Sequence, residues 1–507
     1  MKIFFFFSIL HELYGEVGKQ IARQFPGTQL GGVLGGRDQL CDLIHRKFPT
    51  EHLHVFSSVL QRELPKVCAP LETVAGWEKR HGVLLSTILS TDRRYYKLAR
   101  EQGLRVAAVA IRCCETWLDE FGPDVIIAEG INDLLSHVLY YSARDLGIPV
   151  LVPYASPQPG RVAIYGNAEN RWEKVEEIFA GLRKRALIAK QRTLATTIVR
   201  DYREKHLLPS YLSAGYNRLI AGNEFRSLWL VARKSWLDTA HRLDPSYPGN
   251  VAEVIMHKAI RICRARIAAA RYFGEPREGE RFVFFPLQME PECSTLAFAP
   301  FYANQLNVVE CLAKSLPVDH LLYVKEHPVM VGRRALSNYR RIRAIPNVRL
   351  ISPGVISHRL VRDASAVVTI TSSVGWEAIV HAKPVIVLGN VWFNAFDLVE
   401  KIKSLSELPS AIARAISEFR PDDELLSKFV TASWEGTYPG EIEHPQYVPG
   451  VLAASNVALL ADAICRHMNW LGLPLANVGD RSIPVVQKAP FVRQERAATR
   501  GATTSVS

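Results

Sequence analysis

Three short runs in the second half of the sequence combine residue types that handle phosphate and hydroxyl groups. The first is Lys325-Glu326-His327-Pro328, which closes the apolar run His320 to Val324. That run has the composition of a buried strand. Side chains just past the carboxyl end of such a strand face a crevice, and an imidazole there can donate a hydrogen bond to phosphate. Pro328 stops the strand and stiffens the turn. A lone histidine is more often packed in a core, but the charged neighbours and the strand-end position favour a ligand. The second run is Thr371-Ser372-Ser373-Val374-Gly375-Trp376-Glu377, between a β-branched run and a helical pattern. Ser372 or Ser373 suits an N-cap, Gly375 admits a close backbone approach, and amides at a helix start favour an anion. Glu377 can accept hydrogen bonds from ribose hydroxyls. An ordinary capped helix whose glutamate complements the dipole fits the same residues, but does not account for the pairing with His327. The third run, Gln288-Met289-Glu290-Pro291-Glu292, offers Gln288, Glu290 and Glu292 to hydroxyls or a nucleobase edge; a plain polar loop fits equally.

These runs need a scaffold that brings strand ends together. From Arg281 onward, short strands and helices alternate: strands at 282–285, 320–324, 348–351, 366–371 and 384–389, helices at about 303–316 and 373–382. Alternation of this kind specifies a doubly wound α/β domain. The first half shows the same grammar less regularly. A Phe-rich first strand precedes a helix from about Glu16 to Phe25, and an amphipathic stretch runs from about Asp92 to Phe121. The segment Gly122 to Gly130 reads as a turn, a buried strand and a loop carrying Glu129. A helix from Asp133 to Leu146 and a strand at 148–152 complete a βαβ unit. We expect two such domains facing across a cleft, over residues 1–250 and 251–485. A basic helical insertion is expected at about 171–206, with a solvated face, and a disordered tail over 486–507.

Composition sets bounds. The 507 residues are 48% hydrophobic and 22% charged, which excludes a disordered chain and allows two to four domains. A net charge of +12 suits an anionic partner without naming one. Met1 to Leu10 lacks the cleavage-site pattern of a secretory signal, and no run of about 18 apolar residues predicts a transmembrane helix. Eight cysteines, six scattered and Cys113 and Cys114 adjacent in a helical pattern, read as reduced cytoplasmic thiols. No basic-aromatic module for nucleic acid is present.

Taken in order, Phe285-Pro286-Leu287-Gln288, Pro291-Glu292, Lys325-Glu326-His327-Pro328, Thr371 to Ala378 and Lys383-Pro384-Val385-Ile386 resemble the bacterial capsular polysaccharide biosynthesis family, which includes transferases of the acidic sugar Kdo. The resemblance covers residues 280 to 395 well and the first half loosely. It implies a GT-B fold, α/β with two Rossmann-type domains, and a nucleotide-sugar donor held by the second. By likeness to related sialyltransferases, His327 and Ser372/Ser373 would bind donor phosphate. Lys325, Pro328, Thr371, Gly375, Glu377, Gln288 and Glu292 would complete the donor site. Those enzymes place two acids and a glycine at the catalytic base; Ala128-Glu129-Gly130 keeps one acid, making Glu129 the candidate base and His327 its catalytic partner. The implied reaction moves a sugar, Kdo or another acidic one, to a lipid-linked or oligosaccharide acceptor of a surface polysaccharide. No cofactor or metal is expected, since no DxD-like pair occurs. Rivals are a nucleotide-sugar 2-epimerase, a polyol-phosphate transferase and a non-catalytic assembly or export partner. Peripheral contact with the inner leaflet is expected of Arg171–His206 or the basic tail.

Overall fold

The Phe-rich start is a strand because both of its faces are covered. In β1 (Lys2–Phe6) and the residue after it, Ile3, Phe5 and Phe7 enter one core. Phe4 and Phe6 enter a second core on the opposite side. A strand buried on both faces reads as a continuous apolar run rather than an alternating one. The computed structural model describes residues 1–205 and 251–473. Its strands are β1, β2 (Gln29–Leu34), β3 (Leu53–Val55), β4 (Val125–Ala128), β5 (Val150–Ala155), β6 (Arg161–Tyr165), β7 (Phe282–Pro286), β8 (Leu321–Lys325), β9 (Val348–Ile351), β10 (Ala366–Thr369), β11 (Val385–Val387), β12 (Glu400–Lys401) and β13 (Tyr438–Pro439).

They form two sheets, ordered β13-β6-β5-β4-β1-β2-β3 and β12-β11-β10-β7-β8-β9. The second is parallel throughout. In the first, β6 runs antiparallel to β5, and β13 to β6. Each sheet starts in its middle, winds one way for two strands, then reverses. The reversal lies between β1 and β4 in one sheet and between β7 and β10 in the other. Loops leaving the carboxyl ends of adjacent strands diverge there and open a crevice. Two doubly wound Rossmann-type sheets in one chain make a GT-B-like fold.

Three expectations are corrected. Residues 171–206 are not a solvated insertion over the part described: the helices Glu173–Arg183 and Ala189–Lys205 bury Phe179, Leu182, Ala195 and Tyr202. The indole of Trp172 stacks on that of Trp392 at 4.0 Å between centroids, and Phe179 meets Phe396 edge-on. This segment is the packed seam between the two sheets, and its apolar residues were masked in sequence by the lysines and arginines between them. Second, the division at 251–485 fails at its carboxyl end. β13 joins the first sheet, and the helix Ala454–Trp470 packs its buried face in the core of Phe5 and Leu13. Third, the amphipathic stretch becomes helical only at Arg100. The Asp92 carboxylate instead accepts from the Leu134, Arg94 and Tyr95 amides, and an aspartate so engaged holds a loop. The 486–507 tail lies outside the described residues.

Candidate functional site

The crevice of the second sheet is built by a hydrogen-bonded frame. Glu326, wholly buried, accepts from its neighbour's amide at His327, from Arg334 Nε at 2.7 Å and from the Tyr339 hydroxyl at 2.8 Å. Arg334 continues to Glu290 at 2.6 Å and to the Gln288 carbonyl at 3.1 Å. One guanidinium thus ties the loop after β7 to the loop after β8, which suits its rigid fork of donors. The Gln288 amide bridges β7 to β10: its nitrogen donates to Thr371 Oγ1 at 2.9 Å and its oxygen accepts from the Thr371 amide at 3.0 Å. Gln288 and Thr371, expected on the ligand, are therefore spent on each other across the reversal point. They position the loops.

Within this frame stand charges that lack partners. Lys325 is 6% exposed and, among the described residues, its ammonium forms no hydrogen bond or ion pair. Burial pulls it down to about 8, opposed by Glu377 and Glu326. Glu377 is pushed up to about 7 by burial, with Lys325 acting the other way; its Oε2 is enclosed without a hydrogen-bond partner. Two buried opposite charges that feel each other without touching are expensive to bury. His327 sits beside them, half-buried. Its Nδ1 accepts from the Val329 amide at 3.2 Å. That assigns the proton of the neutral ring to Nε2, and burial with Lys325, Arg334 and Arg333 holds the imidazolium down at about 4. His327 is a neutral donor, not a cation. Pro328 opens the short turn that presents it.

The serine run is organised differently from the expectation. Ser372 Oγ accepts from the Val374 amide, the Ser372 carbonyl takes the Gly375 amide, and the Ser373 carbonyl takes that of Glu377. These helix-start amides are already satisfied, which leaves the hydroxyls of Ser372 and Ser373 as the donors of this run. Gly375 does not admit a ligand: a Cβ there would lie 2.7 Å from the Phe393 ring. Aromatic packing requires the glycine. Glu292 directly precedes the short helix Cys293–Phe298, with no side-chain cap bond; burial raises its carboxyl, with Ser294 and Arg93 of the first domain opposing. Since Asp92 beside it holds Leu134 after β4, the loops from the two reversal points meet here.

On the first sheet, Glu129 follows β4, and both oxygens accept backbone amides of the loop after β1: Ser8 to Oε1 and Leu10 to Oε2, each 2.7 Å. Burial nevertheless raises it to about 7 against those donors and His11. His11 was missed in sequence because its partner is 31 residues away: its Nε2 lies 3.3 Å from Asp42 Oδ2. Its Nδ1 is enclosed without a partner. Burial opposes its charge, but the Asp42 bond, with Glu129, Asp42 and Glu12 nearby, raises its pKa. His11, Glu12 and Asp42 could each offer an atom to a cation. Arg46 already pairs with Glu12 at 3.1 Å, so the group is neutralised within the protein. A cavity of about 610 Å³ beside β3 is lined by Arg37, His54, Ser58, Arg62 and Trp117.

Comparison with known proteins finds similarity over part of the second sheet. Residues 241–407 match the family model described as capsule polysaccharide biosynthesis protein. Protein FixF of Sinorhizobium fredii (strain NBRC 101917 / NGR234) is 32% identical over 156 residues, 30% of this chain and 37% of that protein. The capsule polysaccharide export protein KpsS of Escherichia coli is 28% identical over 132 residues, 25% of this chain and 32% of its own. The chain therefore spans about a third of the length of these curated relatives. Among solved structures, the Thermosulfurimonas dismutans KpsC beta Kdo 2,7 transferase is similar at 12% identity and a TM-score of 0.35, covering 66% of this chain and 80% of that one. A score of that size decides nothing about activity. The matched residues contain every second-sheet residue named above from Gln288 to Phe393, and neither Glu129 nor His11. Over residues 241–407, about a third of its length, this chain is similar to the capsule polysaccharide biosynthesis family.

Proposed function

We propose that the chain is a glycosyltransferase that moves a sugar, Kdo or another acidic one, from a nucleotide-sugar to an acceptor of a capsular or other surface polysaccharide. The observation that carries this is the buried, unpartnered Lys325 beside Glu377 and the Nε2–H of His327, at the carboxyl end of a doubly wound sheet. A donor phosphate would give Lys325 its counter-charge, accept from His327, and meet the hydroxyls of Ser372 and Ser373. Glu377 would turn its free oxygen to ribose hydroxyls. Donors already aimed at the departing phosphate stabilise its growing charge, an effect worth about 3–4 kcal/mol for one well-placed group. Lys325 would supply charge that a metal otherwise brings, so turnover should survive EDTA.

In this reading Glu129 takes the acceptor hydroxyl's proton. Its carboxyl at about 7 matches what a base needs near neutral pH, and each oxygen keeps a lone pair beyond the one given to the loop. A second assignment is favoured by one fact: Glu129 is doubly occupied, whereas His11 Nδ1 is not. His11 with Asp42 would then be the base and Glu129 the clamp of its loop. The arginine-lined cavity beside β3 is suited to an anionic acceptor.

Thermal-shift titration with CMP, UDP, GDP and CDP tests the donor site. One nucleotide at about 100 times its Kd should add about 2.7 kcal/mol of stability, and His327→Ala should remove most of that gain. No shift with any of the four, or wild-type turnover in His327→Ala, would refute the assignment. Conversion of the nucleotide-sugar without acceptor would identify an epimerase instead, phosphodiester products a polyol-phosphate transferase, and binding without turnover an assembly or export partner.

A further inference from the structure

The helix Val251–Arg271 lies against the second sheet the wrong way round for a soluble protein. Among its described side chains, those buried are the small Ala265 and Ala268. Four large apolar side chains point outward: Ile255 is 55% exposed, Met256 52%, Ile260 39% and Ile267 41%. Met256, Ile260 and Ile267, with Ala259 and Cys263, both exposed, occupy about 100° of the helix circumference at 100° per residue, and Ile255 lies just beyond Arg266. This is a continuous stripe, not a scatter of single residues, and a continuous apolar patch on the surface marks a contact. The stripe is fringed by cations. Arg266 lies along one border and Arg264 and Arg271 along the other; with Lys258 and Arg261 the helix carries five basic residues against one acid, Glu253. The adjoining helix Leu336–Arg343 adds the exposed Arg340, Arg341 and Arg343, of which Arg341 is paired with Glu310.

The helix is also held firmly on its other side. Gly332 (φ +79°) passes so close that a Cβ would lie 2.2 Å from the Arg261 carbonyl oxygen, and Phe273, just past the helix end, meets Tyr339 edge-on at 5.3 Å. The stripe therefore cannot roll inward without breaking this contact.

We propose that this helix is a membrane-surface anchor, seating its apolar stripe at the headgroup boundary of an anionic bilayer while the flanking arginines meet lipid phosphates. An outward apolar face bordered by arginines is what an interfacial helix needs, and each basic residue near an anionic surface strengthens binding about fivefold. No helix among the described residues is long and apolar enough to cross a membrane, so the contact is parallel to the surface. It would set the donor crevice close to a lipid-linked acceptor. The helix lies outside the donor site, so its function as an anchor is independent of the reaction assigned there.

Flotation of the full chain with vesicles of phosphatidylglycerol and phosphatidylcholine (3:7), and of phosphatidylcholine alone, tests this. The expected result is binding to the anionic vesicles only, falling at least tenfold between 50 and 500 mM salt. Ile260→Glu with Ile267→Glu should abolish it, and Arg266→Glu with Arg271→Glu should weaken it more than tenfold. Circular dichroism and the apparent Tm of each variant should match wild type, because the replaced side chains are exposed. The proposal is overturned if wild type binds neither vesicle, or if the stripe variants bind as wild type does. It is also overturned if they lose stability sharply, which would mean that the stripe is covered within the protein itself. Dissociation of a wild-type dimer by these variants without lipid binding would instead assign the stripe to a second copy and refute the membrane.

Discussion

Replacing Lys325 by methionine separates a binding group from a structural one. A lysine free in the unfolded chain titrates near 10.5; burial brings Lys325 to about 8 in the folded protein. Below pH 8 both states carry the proton, and the folded state bears the full cost of a buried ammonium, about 3 kcal/mol. Between about 8 and 10.5 the unfolded chain binds more protons than the folded one, so this cost is relieved and stability rises with pH in that window. Methionine keeps the stem and its packing but carries no charge. Glu377, already at about 7, then takes up a proton, so no uncompensated charge is left behind. Lys325→Met should therefore stabilise the empty protein at pH 7 by about 1–3 kcal/mol, the range allowing for imperfect packing of the new side chain. For a domain of this size, that is about 2–10 °C in apparent Tm. At pH 10 the gain should shrink toward zero. Nucleotide affinity should move the opposite way, since a hydrogen bond to a charged group contributes about 1.5–3 kcal/mol, or roughly 10- to 150-fold. Scanning fluorimetry at pH 7 and 10, with calorimetric titration of the nucleotide that shifts wild type, reads both quantities. A fall in Tm at pH 7 together with unchanged nucleotide affinity would refute the reasoning, because Lys325 would then be satisfied by the fold itself.

Two further substitutions probe the two crevices. Glu129→Gln keeps one acceptor oxygen but turns an amide nitrogen toward either the Ser8 or the Leu10 N–H; the lost bond and the donor–donor contact should cost about 1–3 kcal/mol, seen as a lower apparent Tm. Turnover should fall at every pH if Glu129 is the base. If His11 is the base, turnover should recover when the loop is restored by lower temperature. Gly375→Ala should destabilise by about 1–3 kcal/mol through overpacking against Phe393, measured by denaturant unfolding of the second domain. Unchanged stability would show that the Phe393 ring can move aside.

What could be read from sequence was whatever rests on local pattern. The Phe-rich strand, the alternating elements after Arg281 and the strand-end positions of Lys325 and His327 follow from apolar periodicity and from proline and glycine punctuation, which act over a few residues. The ordered motifs also carried the family resemblance. What needed the tertiary structure was every relation between distant residues. Gln288 and Thr371 look like ligand groups until β7 and β10 are seen side by side, because only strand order decides that they satisfy each other. Gly375 looks like a ligand approach until Phe393 occupies the space. The pairing of His11 with Asp42 and the clamp of Glu129 on the loop after β1 depend on β1 lying between β4 and β2. The return of β13 and the last helix to the first sheet has no local signature, since a two-residue strand and an amphipathic helix would fit either domain. Local chemistry is written in neighbouring residues; whether a polar group faces a ligand or another part of the chain is settled by packing.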